Sequence, residues 1–95
     1  MKEIEFRDWL LNQGVSKKMQ SDFVSRLKRL ETNLDFFDID EEVKFDNCNR
    51  LLNYLSSGCK ESPYSKKLEL AGSSKQYTVL KYAVKKYLSF LQDFN

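Results

Sequence analysis

Eight basic side chains carry the most usable chemistry in this sequence: Lys17, Lys18, Arg26, Arg29, Lys75, Lys81, Lys85 and Lys86. Each offers a cation with several N–H donors. Gathered on one surface, such groups neutralise nucleic-acid phosphates and release condensed counterions. The same side chains also solvate exposed helix faces, so their meaning depends on whether the fold brings them together. Chemistry of other kinds is scarce. The sequence has no histidine, which removes Ser-His-Asp and Cys-His constellations, histidine-bearing zinc sites and imidazole bases. Two cysteines, Cys48 and Cys59, are too few for a four-cysteine metal site and read as free thiols in a reducing compartment.

Gly14, Gly58 and Gly72 are isolated, so no glycine-rich phosphate loop exists. The acidic run Asp35, Asp38, Asp40, Glu41 and Glu42 lacks the central glycine and spacing of a calcium loop and reads as a solvated connector. Glu41 and Glu42 form a carboxylate pair with nothing nearby that resembles a substrate pocket. Tyr54, Tyr64, Tyr77, Tyr82 and Tyr87 read as core or core-rim residues, with Tyr82 off the apolar stripe and expected to be exposed. These residues imply no enzymatic activity, no metal and no cofactor.

The elements that must position the basic groups are helices. Ninety-five residues make one small domain. One proline, three glycines and 41 % hydrophobic residues favour long helices over a many-turned sheet or disorder. Phe6, Trp9, Leu10 and Gln13 share a helical face, predicting a helix over 3–13 closed by Gly14. Ser16 is a good N-cap for a helix over 16–34, with Met19, Phe23, Leu27, Leu30 and Leu34 as its apolar stripe, widened by Val24. Residues 40–57 form one helix or two, with Asp40 and Asp46 as candidate caps. The segment 58–73 reads as a loop pinned by Leu68 and Leu70. The last helix, 74–93, is capped by Ser73 or Ser74 and carries Tyr77, Leu80, Val84, Tyr87 or Leu88, and Leu91 on its stripe. The expected fold is all-α, a single small bundle of four to five helices. No run reaches the roughly 18 apolar residues of a membrane span, and no signal peptide is evident, so a cytoplasmic protein without membrane contact is expected.

Net charge is only +2, but it is unevenly placed. Residues 1–30 carry seven basic and four acidic side chains, residues 31–50 two and seven, and residues 60–95 seven and three. The basic groups fall on the second and last helices. If these present neighbouring outer faces, the eight residues line one phosphate-binding surface. Alternatively, the acidic middle neutralises them within the fold. A competing function is protein–protein interaction or self-association, with Phe36, Phe37 and Phe94 as exposed contacts and the acidic connector steering a basic partner. One contiguous basic patch favours DNA, whereas a scatter broken by Asp22, Glu31 and Glu69 favours protein.

Two local patterns carry a family resemblance: Phe6-Arg7-Asp8-Trp9-Leu10 followed by Gly14-Val15-Ser16, Phe23 and Leu27, and then Tyr77, Leu80, Ala83, Val84, Tyr87, Phe90 and Leu91. Together they resemble the N-terminal core-binding, SAM-like domain of phage integrases and other tyrosine recombinases, over nearly the whole chain. Similar helical segments occur in some restriction-type enzymes and mobile-element proteins. The resemblance implies a helical bundle that clamps one side of double-stranded DNA through basic helices. It points to Ser16–Lys18 and to the basic side of the last helix. It does not extend to catalysis, because the recombinase Arg/His/Arg cluster and nucleophilic tyrosine belong to a separate domain. The chain is therefore expected to be a non-catalytic module in DNA integration or recombination.

Overall fold

A computed structural model describes residues 1–34, 38–57, 62–64 and 75–94, and all regular elements among them are helices. They are α1 (Glu3–Asn12), α2 (Lys17–Asn33), α3 (Ile39–Asp46), α4 (Asn49–Ser56) and α5 (Lys75–Phe94). Leu68, Leu70, the Ser73 and Ser74 caps, Cys59, Phe36, Phe37 and Glu69 lie outside the described residues.

Local chemistry sets the ends of the helices. Gly14 has φ +82°, a left-handed conformation that glycine reaches without a Cβ penalty. Around it the Val15 amide donates to the Leu10 carbonyl and the Gly14 amide to Leu11, both at 3.0 Å. This paired pattern consumes the orphan carbonyls at the end of α1. Two residues later the Ser16 hydroxyl accepts from the Met19 amide at 3.3 Å and starts α2. A four-residue reversal thus lays α2 back against α1.

The segment over 40–57 resolves into two helices. Asn47 and Cys48 both take positive φ, 58° and 63°, ending α3 and starting α4 in a new direction. Asparagine tolerates this region well and cysteine does not, so the break stores some backbone strain. Asp38, rather than Asp40, caps α3, its carboxylate accepting from the Asp40 amide at 2.9 Å. Asp46 does serve α4, accepting from the Arg50 amide at 2.9 Å.

The core gathers around α5, which packs against α1, α2 and α4. Phe6 is its aromatic centre. Its ring meets Tyr87 edge-on at 5.1 Å, Phe90 at 5.4 Å and Phe23 at 6.4 Å. Leu27, Leu30, Leu51, Leu55, Leu80 and Val84 fill the remaining interior.

The expected stripes need three corrections. Gln13 and Met19 are exposed, because the turn at Gly14 swings both to the rim. Trp9 packs on the rim of the core and only half-buries, and its indole N–H donates to Asp93 at 3.0 Å. Gln20 is buried instead, its amide donating to the Val15 carbonyl at 2.9 Å.

Candidate nucleic-acid interface

Residues on an α-helix advance about 100° each, so helical phase decides which basic groups share a surface. On α2, Ser21 and Lys28 face α1: Ser21 accepts from Arg7 at 3.2 Å, and Lys28 pairs with Glu3 at 2.8 Å. Lys17 is in phase with those two and falls on the same flank. Arg26 and Arg29 lie on the opposite flank. They line a cleft of about 290 Å³ with Gln76, Val79 and Leu80 of α5. Lys18, three turns before Arg29, is in phase with it.

On α5, Lys86 stands beside Tyr82, and both line a second cleft with Ser16, Met19 and Phe23. Lys75 opens the helix in phase with Val79 and Lys86. Lys85 lies on the exposed outer edge. Lys81 is about 140° round the helix from Lys86, in phase with Tyr77 and Leu88. Of the eight expected residues, Lys18, Arg26, Arg29 and Lys86 therefore fall on one α2/α5 face and Lys75 shares the helical phase of Lys86, whereas Lys85, about 40° from Lys81, points outward, and Lys17 and Lys81 fall away from the face.

Phe23 ties this face to the core. The Arg26 guanidinium lies 5.9 Å from its ring centroid, the Tyr82 ring 5.7 Å away on the solvent side, and Phe6 on the inner side. Lys86 lies 5.6 Å from the Trp9 ring. These contacts place the cations over aromatic surface and leave their N–H donors to solvent.

The carboxylates of Glu31, Asp38, Asp40 and Glu42 are occupied elsewhere. The N-terminal ammonium binds Asp38 and lies 3.4 Å from Asp40 and 3.9 Å from Glu31. Glu31 also accepts from the Ile39 amide at 2.7 Å. Burial raises the pKa of Glu31 above its ordinary value despite that bond and the nearby ammonium. Glu42, only 3 % exposed, takes Arg50 through two hydrogen bonds of 2.9 and 2.6 Å and accepts a third from the Tyr64 hydroxyl. Arg50 lies over the rings of Phe45 and Tyr64, at 4.2 and 4.7 Å. Among the described residues, ion pairs use Lys2, Arg7, Lys28, Arg50 and the amino terminus. Lys18, Arg26, Arg29, Lys85 and Lys86 make none. Among the described residues, Asp22, between Lys18 and Arg26 on α2, and Asp93, about two turns beyond Lys86 on α5 and bonded to Trp9, place negative charge on this face.

The Glu42–Arg50–Tyr64 cluster was not anticipated from the sequence. Its partners come from two helices and a separate segment, and no short spacing marks them. Among the described residues, no group of acidic or cysteine side chains is arranged to hold a metal ion, and no helix is long and apolar enough to cross a membrane. Comparison with protein-family models, curated proteins and solved structures finds no match to this chain.

Proposed function

We propose that the protein is a non-catalytic DNA-binding module whose α2/α5 face contacts the phosphates of double-stranded DNA. The SAM-like, core-binding resemblance and a cytoplasmic role in an integrase-like or mobile-element protein belong to this proposal. One observation carries it: Lys18, Arg26, Arg29 and Lys86 are free of ion pairs among the described residues, while Asp38 and Asp40 bind the amino terminus and Glu42 binds Arg50. An acidic middle that neutralised the basic helices would have paired with them.

Binding of this kind is mainly electrostatic, and phosphate contacts set orientation more than sequence. A gel-shift titration on a duplex of about two helical turns should show affinity falling about two to three orders of magnitude between low and physiological salt, as four to six phosphate contacts require. The double variant Arg26→Glu/Arg29→Glu should lose binding and flatten that salt slope. Lys17→Glu/Lys81→Glu, off the face, should change both far less. No binding to duplex at low salt, or equal losses in the two variants, would overturn the proposal.

A second reading, self-association or docking of a protein partner, is favoured by Ile4 and Leu11. They are two turns apart on one side of α1 and exposed by 72 % and 61 %. Sedimentation of the protein as a strict monomer would remove the self-association form of that reading.

A further inference from the structure

Cations alone suffice to hold a duplex, yet the α2/α5 face also exposes apolar surface. Tyr82 is 55 % exposed, and Met19 and Val79 are each 38 % exposed. Val79, Tyr82 and Lys86 follow one another at three- and four-residue steps, so the apolar groups and the lysine form one ridge. Phe23 lies behind the Tyr82 ring at 5.7 Å with the planes 30° apart. That contact supports one side of the ring from the core and leaves the other to solvent. The cleft beside it measures about 390 Å³, within the roughly 300–1,000 Å³ typical of small-molecule sites. Arg26 stands at one edge of this aromatic pair and Lys86 at the other.

We propose that the outer face of Tyr82 stacks an unpaired base, making single-stranded DNA a better ligand of this face than intact duplex. The inference rests on the nucleic-acid reading above and specifies its ligand. In a duplex every base face is covered by its neighbours, so Tyr82 and Met19 would meet only sugar edges and phosphates. A single strand offers base faces to the ring and its phosphates to Arg26 and Lys86 on either side. Charge complementarity comes from these two cations, neither of which is held in an ion pair among the described residues. Aromatic stacking is tolerant of base identity, so the preference is for strandedness rather than sequence.

The test is fluorescence anisotropy with labelled oligothymidylate and a labelled duplex of equal length at matched salt. Wild-type protein should bind the oligothymidylate about five- to a hundredfold more tightly than the duplex, the range expected for one stacked base. Tyr82→Ala should abolish most of that preference, keep duplex affinity within about twofold and keep the salt slope, because no charge is removed. Tyr82→Phe should retain the preference. The tyrosine is exposed, so circular dichroism should show Tyr82→Ala folded like the parent. Wild-type protein that binds oligothymidylate no better than duplex, or Tyr82→Ala that keeps the preference, overturns the stacking inference and leaves duplex binding standing. Failure to bind either probe at low salt overturns both readings together.

Discussion

The Tyr87 hydroxyl donates to Asp40 Oδ1 across 2.5 Å and accepts from the Lys2 amide at 2.9 Å. One phenol thereby fastens the middle of α5 to the first turn of α3 and to the entry of α1. Burial, reinforced by the bond to Asp40, pushes this hydroxyl well above the ordinary tyrosine value, so it stays a neutral donor throughout the physiological range.

Tyr87→Phe keeps the ring among Phe6 and Phe90 and deletes only the hydroxyl. It leaves the Lys2 amide without its acceptor, at an expected cost of about 1–2 kcal/mol. Thermal unfolding followed by circular dichroism should show Tm lower by about 5–10 °C. An unchanged Tm would mean that water replaces the hydroxyl at no cost.

Glu42 supplies the acid-sensitive element. Burial pushes its carboxyl up, but hydrogen bonds from Arg50 and Tyr64 and the Arg50 charge outweigh burial and hold it below the ordinary value of 4.5. A depressed carboxyl contributes stability that is present above its unfolded value and lost as pH falls through its folded value. Urea unfolding should therefore show stability declining below about pH 4.5. Glu42→Gln should be about 2 kcal/mol less stable near neutrality, because Arg50 loses its counter-charge, with a shallower acid limb. Some decline should remain, because Asp38 and Glu3 are also held below their ordinary values.

Cys48 is fully buried, and burial, helped by Glu42, Asp46 and Asp40, pushes its thiol up to about 12. The thiolate is the reactive form, so this thiol should be inert in the folded protein. In a Cys59→Ser background, a disulfide-exchange reagent at about pH 8 should release little chromophore from native protein and a full equivalent in denaturant. Rapid labelling of the native variant would contradict the burial of Cys48.

The helices legible in the sequence are those whose burial follows one uninterrupted phase. Along α2 and its C-cap, Phe23, Leu27, Leu30 and Leu34 are all buried, and in α5 so are Leu80, Val84 and Tyr87. The division between α3 and α4 was not legible, because Asn47 and Cys48 adopt positive φ without the glycine that usually announces it. Met19 and Trp9 were misplaced for a related reason: periodicity gives the angle of a residue on its helix but not how far the neighbouring helix reaches. The basic face was half legible. Residue type and helix assignment identified eight candidates, but only the contact between α2 and α5 separated Arg26, Arg29 and Lys86 from Lys17 and Lys81.

The placement of Phe6 between Tyr87 and Phe90 has a consequence for biosynthesis. α1 needs partners that are translated only after α2, α3 and α4, so Phe6 has no aromatic cage until α5 has emerged. α1 and α2 meet early through the Gly14 turn, but their shared apolar surface stays uncovered while α3 and α4 are translated. This order of assembly favours folding as a single late event rather than helix by helix, and any pause before α5 would prolong the exposure of Phe6 and Phe23.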